Sequence, residues 1–265
     1  MALLGTLTTS VSALDAFTAG LDTVGNNIAN INTTAFKGSD VSFADTFSNV
    51  GTQVSSTSQD FTQGALSTTG VPTDLGISGN GFFIVQDPST GSEYATRDGQ
   101  FTFNSAGYLV NNEGMEVMGL TGGTSTSGGT AGAIKLGTPP TGTQLESVSI
   151  GTDGSVTESY SDGSQAVTNQ VLLQNYADPQ QLVSQGDNLF GNLAAAAPTN
   201  GGTLPTLVPG GGVGTVQSGT LEQSNVDLTQ EFSNMITLQR AFEANARMIT
   251  ISDTILEDVV NMKSH

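Results

Sequence analysis

The chain carries the same apolar rhythm at both ends, and that rhythm limits its fold more than any other feature. Within residues 3–31, Leu7, Leu14, Leu21 and Ile28 recur every seven positions, and Phe17, Val24 and Ile31 form a second row at the same spacing. From Leu14 to Ile31 the gaps alternate three and four, the period of a helix whose narrow stripe faces another helix. Residues 227–262 repeat the pattern with Leu228, Met235, Phe242, Ile249 and Leu256, flanked by Phe232, Ala246 and Val260. Asp227 is placed to cap the second helix, and Glu243 with Arg247 is a favourably oriented i,i+4 pair. Pairing the two terminal helices covers both stripes. At about 1.5 Å per residue, some 30 residues give a rod of roughly 45 Å.

Between the ends the pattern changes to turns and strands. Gly81-Phe82-Phe83-Ile84-Val85 is a short apolar run that reads as a buried strand. Turns are expected at residues 87–91, 105–107 and 111–114 and at Asp153-Gly154 and Asp162-Gly163, with Asp98-Gly99 as a hairpin signal. The segments between them make a β-meander and a second antiparallel set through residue 176, followed by one turn near residues 178–183. Two low-complexity tracts, residues 119–132 and 194–214, read as surface loops. The expected fold class is therefore α+β: long N- and C-terminal helices pairing as a coiled-coil-like arm, plus a central antiparallel β-rich domain. The expected division is residues 1–35 and 227–265 for the helical core, 36–70 for an extended linker with a short helix near 41–47, and 71–226 for the β domain.

Composition narrows the chemistry. Only 6 Lys and Arg stand against 24 Asp and Glu, a formal charge of −18, so a phosphate backbone or an anionic lipid surface finds no clustered cations. No nucleic acid and no membrane insertion are expected. There is no Cys, and the single His is His265, which removes thiolate sites, multi-His metal sites and His general bases. No run of 18 apolar residues crosses a membrane, and the first basic residue is Lys37, which does not suit a secretory leader. Gly79-Asn80-Gly81 runs into a strand rather than a helix and so is not a dinucleotide loop. The Asp-Gly pairs lack the ligand series of a calcium loop. Glu113 and Glu116 have no neighbour in sequence to tune them. No catalytic residue, metal or cofactor is expected, and the protein is not read as an enzyme.

Gly25-Asn26-Asn27-Ile28-Ala29-Asn30-Ile31-Asn32-Thr33-Thr34-Ala35-Phe36-Lys37-Gly38 resembles the N-terminal signature of the axial proteins of the bacterial flagellum, the hook protein and its rod relatives. The likeness continues at Gln63-Gly64-Ala65-Leu66, at Asp74-Leu75-Gly76-Ile77-Ser78-Gly79-Asn80-Gly81-Phe82-Phe83 and at Tyr94-Ala95-Thr96-Arg97-Asp98-Gly99-Gln100-Phe101. It resumes over residues 217–227 and at Asn234-Met235-Ile236-Thr237-Leu238-Gln239-Arg240-Ala241-Phe242-Glu243-Ala244-Asn245. The resemblance implies a structural subunit that polymerises with itself into a tube, the terminal helices paired and lining its inner wall. It implies partners among other flagellar rod, hook and junction proteins and the flagellar export apparatus, and a place in the hook or basal body after export through the flagellar channel. Phe36-Lys37-Gly38-Ser39 with Phe43-Ala44-Asp45-Thr46-Phe47 looks like a hook subunit, a flexible joint between rod and filament. A distal rod subunit is the alternative, and a secreted β-rich adhesin is the rival from another class. The assembly interface is expected at Leu7, Leu14, Phe17, Leu21, Val24, Asn27, Ile28, Asn30 and Ile31 on the first helix, and at Leu228, Met235, Phe242, Ile249 and Leu256 on the second.

Overall fold

A computed structural model describes residues 2–45, 51–123, 130–199, 208–210 and 212–263. The chain divides into two units: Met1–Asn32, Lys37–Asp60 and Val226–His265 form one, Thr33–Phe36 and Phe61–Asn225 the other.

The first unit contains α1 (Ala2–Ala29), a hairpin of β1 (Ser39–Asp45) and β2 (Thr52–Gln59), and α2 (Leu228–Lys263). α1 stays helical despite many threonines because their hydroxyls are used within the helix. Thr9, Thr18 and Thr23 donate to the carbonyls of Gly5, Leu14 and Ala19, four residues back. α2 begins as expected, with the Asp227 carboxylate accepting from the Thr229 and Gln230 amides at 2.7 and 3.2 Å. Those amide bonds, Gln230's first, hold the Asp227 carboxyl below the usual range. The helices contact one another antiparallel: Asn27 reaches Glu231, and Gly20 lies against Leu238. Residues 41–45, expected in a short helix, are strand instead, and Thr46 and Phe47 lie outside the described residues. Pairing with β2, from Ser39↔Gln59 to Asp45↔Thr52, supplies the backbone bonds that a helix would have made internally.

The second unit is antiparallel β. Its strands are β3 (Leu66–Thr68), β4 (Leu75–Ser78), β5 (Phe83–Gln86), β6 (Glu93–Thr96), β7 (Thr102–Phe103), β8 (Leu109–Val110), β9 (Glu116–Thr121) and β10 (Thr130–Ala133). They continue with β11 (Leu145–Ile150), β12 (Ser155–Tyr160), β13 (Gln165–Val171), β14 (Val183–Gly186), β15 (Leu189–Gly191), β16 (Thr215–Ser218) and β17 (Thr220–Glu222). The main sheet runs β11-β12-β13-β9-β5-β6-β15-β14, with β10 and β8 also paired to β9 and β7 paired to β8, and β16-β4 and β17-β3 form two small pairs. The apolar run at β5 is buried on both faces. Phe83 and Val85 join Leu75, Phe101, Val117 and Val156 in one core, while Phe82 and Ile84 join Tyr176, Phe190 and Leu193 in another. That double burial is why the run does not alternate.

Most of the expected turns connect paired neighbours. Asp98-Gly99 does not: β6 pairs with β5 and β15, while β7 pairs with β8. Gly99 is needed for a close approach instead, because a Cβ there would meet the Leu75 carbonyl oxygen at 1.8 Å. Two buried charges organise this unit. Arg97 and Glu222 pair at 3.3 Å, with the Arg97 guanidinium 4.8 Å from the centre of the Phe82 ring and the Gly64 amide donating to Glu222. Burial lowers the Arg97 pKa and Glu222 opposes that shift. Glu158 accepts from Tyr160, Thr168 and the Gly137 amide, and the first of these bonds pushes the Tyr160 phenol up to about 12.

Candidate assembly surface

In α1 the buried positions are Ser10, Ala13, Ala16, Gly20, Val24 and Asn27. Of the expected interface residues, only Val24 and Asn27 belong to this stripe. Leu7, Leu14, Phe17, Leu21, Ile28, Asn30 and Ile31 are all half-buried. Small side chains take the contact because they let backbones approach. A Cβ on Gly20 would sit 3.1 Å from the Phe43 ring edge and 3.2 Å from a Leu238 methyl. The large apolar residues are carried to the flanks, where Phe17 meets Phe43 edge-on at 5.9 Å.

Asn27 is the polar centre of the unit. Its amide donates to the Ser39 carbonyl and to Glu231, both at 2.9 Å, and its oxygen accepts from the Ser39 amide at 3.0 Å. It thereby fastens α1 to β1 and α2 at once. The second carboxylate oxygen of Glu231 is buried without a hydrogen-bond partner. Asn30 has a local role, donating to the Asn26 carbonyl as the helix ends.

α2 is far more open. Its covered side is drawn from Glu231, Asn234, Leu238, Ala241, Asn245 and Ser252, together with the expected Met235, Ile249 and Leu256. Leu228 is 41 % exposed and Phe242 36 %, so neither is in a closed contact. Five further large apolar residues, Phe232, Ile236, Met248, Ile251 and Ile255, are between 43 and 58 % exposed. The seven-residue spacing marks the helix, but the buried stripe is offset from it. The missed part of the stripe carried a signal of its own, small residues at gaps of three and four from Ser10 to Gly20. Arg240 and Arg247 are exposed and the expected Glu243–Arg247 pair is not formed. Among the described residues, no three His, Cys, Asp or Glu side chains gather as a metal site, and no helix is long and apolar enough to cross a membrane.

The two terminal helices contact one another and a β unit lies between them in sequence, the class of chain to which a family must correspond; comparison with known proteins gives the family. The family described as flagella basal body rod protein matches residues 7–37, the flagellar hook protein FlgE/F/G D1 domain matches 76–158, and the flagellar basal body rod FlgEFG protein C-terminal region matches 217–262. The flagellar basal-body rod protein FlgG of Bacillus subtilis is 35% identical over 284 aligned positions, which span 98% of this chain and 100% of that protein. The rod protein FlgG of Buchnera aphidicola subsp. Schizaphis graminum is 31% identical, over 94% of this chain and 95% of its own length. The flagellar hook protein FlgE of Salmonella typhimurium is 27% identical over 403 positions, spanning 96% of this chain and 99% of that protein. The chain belongs to the flagellar hook and rod axial protein family, whose members are parts of the flagellar hook and basal body.

Proposed function

We propose that this chain is a non-enzymatic subunit that assembles head to tail with copies of itself into the flagellar hook, a tubular flexible joint carrying torque from rod to filament. The observation behind this reading is the contrast on α2, where a helix of 36 residues keeps a row of large apolar side chains uncovered within one chain. Such a face needs neighbours, and open heterologous contacts supply them in a filament. The two terminal helices form the arm that meets those neighbours, and other flagellar rod, hook and junction proteins meet the ends of the tube. The position within the axis rests on Phe36-Lys37-Gly38-Ser39 with Phe43-Ala44-Asp45-Thr46-Phe47, which looks like the sequence of a hook subunit.

Length favours a second reading. The hook relative needs 403 aligned positions to span this chain, whereas the Bacillus rod relative needs 284, which suits a rod segment. Electron microscopy of purified protein driven to assemble tests the proposal. Tubes that bend support the hook and straight tubes the rod segment; monodisperse particles would remove both and favour a secreted β-rich module.

A further inference from the structure

The outer faces of the two terminal helices carry opposite charges in matching order. Along α1, exposed Val11, Asp15, Thr18 and Asp22 follow one another at gaps of four, three and four, away from the buried stripe. Asp15 and Asp22 are the only charged residues of α1. Read backwards along α2, exposed Ile251, Arg247, Ala244 and Arg240 follow at the same gaps. Both acids and both arginines are seven residues apart, about 10.5 Å at 1.5 Å per residue, so both pairs meet in one register. Among the described residues none of the four has an ion-pair partner within the chain. The arginines border a shallow recess of about 420 Å³ with Glu243 and Ala244. Of the other cations whose side chains are described, Lys37 and Arg97 are buried and Lys135 lies over the Tyr108 ring.

We infer that the outer face of α1 docks on the outer face of α2 of a second copy of this chain, with Asp15 against Arg247 and Asp22 against Arg240. The same register sets Val11, 49 % exposed, against Ile251, 46 % exposed, and Thr18 against Ala244. Direction follows from the first unit. α1 and α2 run antiparallel inside one chain, as Asn27–Glu231 and Gly20–Leu238 show. When every copy points the same way along an axis, α1 of one copy meets α2 of the next antiparallel as well. This inference rests on the self-assembly reading above and adds to it a specific contact. Exposed ion pairs contribute little affinity, but like charges facing one another select strongly against a wrong neighbour.

Charge reversal tests it on the full chain. Asp15→Arg with Asp22→Arg makes both outer faces cationic, and Arg240→Asp with Arg247→Asp makes both anionic. Each variant alone is expected to need at least tenfold more protein to form tubes, with an unchanged circular dichroism spectrum. A one-to-one mixture is expected to recover tubes containing both, because each variant's α1 then faces the other's α2. If wild type forms tubes and the mixture does not, or if both variants assemble as wild type does, the contact is wrong while the assembly reading stands. A wild type that never assembles overturns both. Register is read separately, since the chain has no cysteine of its own. Asp15→Cys with Arg247→Cys is expected to give a ladder of disulfide-linked oligomers within tubes, and Asp15→Cys with Arg240→Cys is not. The opposite result overturns the antiparallel register even if the charge variants fail to fold.

Discussion

The β unit and the helical unit spend their large side chains differently. In the β unit Phe82, Phe83 and Phe101 are at most 1 % exposed, and edge-to-face ring contacts such as Phe83–Phe101 at 5.1 Å are completed within the chain. In the helical unit the closed positions hold Ser10, Ala13, Ala16 and Gly20, while Phe232, Ile236 and Ile251 stay in solvent. One unit satisfies its hydrophobic surface alone and the other leaves it unsatisfied. Hydrophobic burial is the main favourable term in folding, so the first should fold as a monomer and the second should gain order from neighbours. Hydrogen exchange on dilute monomer separates the two: residues 71–190 are expected to be protected, with α1 and α2 exchanging fast until assembly. Strong protection of both helices in the monomer would contradict this.

The largest expected effects come from the β unit. Phe83→Ala removes a ring buried on all sides and should cost about 3–5 kcal/mol in denaturant unfolding. Phe232→Ser with Ile236→Ser deletes two large side chains of the helical unit, yet should shift monomer stability by no more than about 0.5 kcal/mol per site, because both are exposed. The second variant should lose tube formation and the first should not lose it at concentrations where it remains folded. Equal destabilisation by the two would remove the contrast. Glu222→Ala belongs with the first class. It leaves the Arg97 guanidinium buried beside Phe82 without its counter-charge, at about 3–5 kcal/mol. Arg97→Met with Glu222→Leu should recover most of that loss, and failure to recover would show that the Gly64 amide bond to Glu222 matters more than the charge.

Intermediate effects probe the closed part of the helical unit. Asn27→Ala strands the Ser39 amide and carbonyl and one Glu231 oxygen, at about 1–3 kcal/mol. Asn30→Ala loses bonds to Asn26 in the preceding turn at an exposed site and should cost less than Asn27→Ala. Gly20→Leu drives a side chain into Phe43 and Leu238 and should cost about 1–3 kcal/mol, read as loss of helical signal at lower temperature. If Gly20→Leu is neutral, the close approach of α1 to α2 is not what holds this unit together.

The sequence revealed the two units unevenly, for the same reason that they differ. β5, the turns at 105–107, 111–114, 153–154 and 162–163 and the cap at Asp227 were legible because large apolar runs, Asx-Gly turns and a capping carboxylate act locally. The hairpin of β1 and β2 was not. β2, Thr-Gln-Val-Ser-Ser-Thr-Ser-Gln, has a single apolar residue, so no alternation marks it, and its strand character comes from pairing with β1. Ser10, Ala13, Ala16 and Gly20 of the buried stripe of α1 were missed because Ser, Ala and Gly add little to a hydrophobic period, although they decide how near two helices can come. Asp98-Gly99 was misread because a glycine needed for close backbone approach looks, in sequence, like one needed for a turn.

The smallest expected effect is an acid-limb difference between the two units. Three turn carboxyls of the β unit are held below their ordinary range. Asp87 is lowered from 3.8 to about 2, first by the Ser89 hydroxyl and then by the Ser89 amide. Asp153 and Asp162 are lowered chiefly by the hydroxyls of Ser155 and Ser164. Among the described residues of the helical unit, Asp227 is the carboxyl held low, by the amides of Gln230 and Thr229. A depressed folded pKa contributes stability above the unfolded value and loses it as pH falls through the folded one, so the window runs from about pH 4 down to 2. Asp98 works in the opposite sense: burial raises its carboxyl, so the folded state gains as that group takes up its proton. All three turn groups lie near the surface, where solvent screens them, and the net slope should be shallow. The β unit is expected to melt a few degrees lower at pH 2.5 than at pH 5. Asp87→Asn should flatten that slope more than Asp227→Asn, when β signal and helical signal are followed separately. A steeper acid loss in the helices than in the sheet would reverse the assignment and place the sensitive carboxylates on α1 and α2.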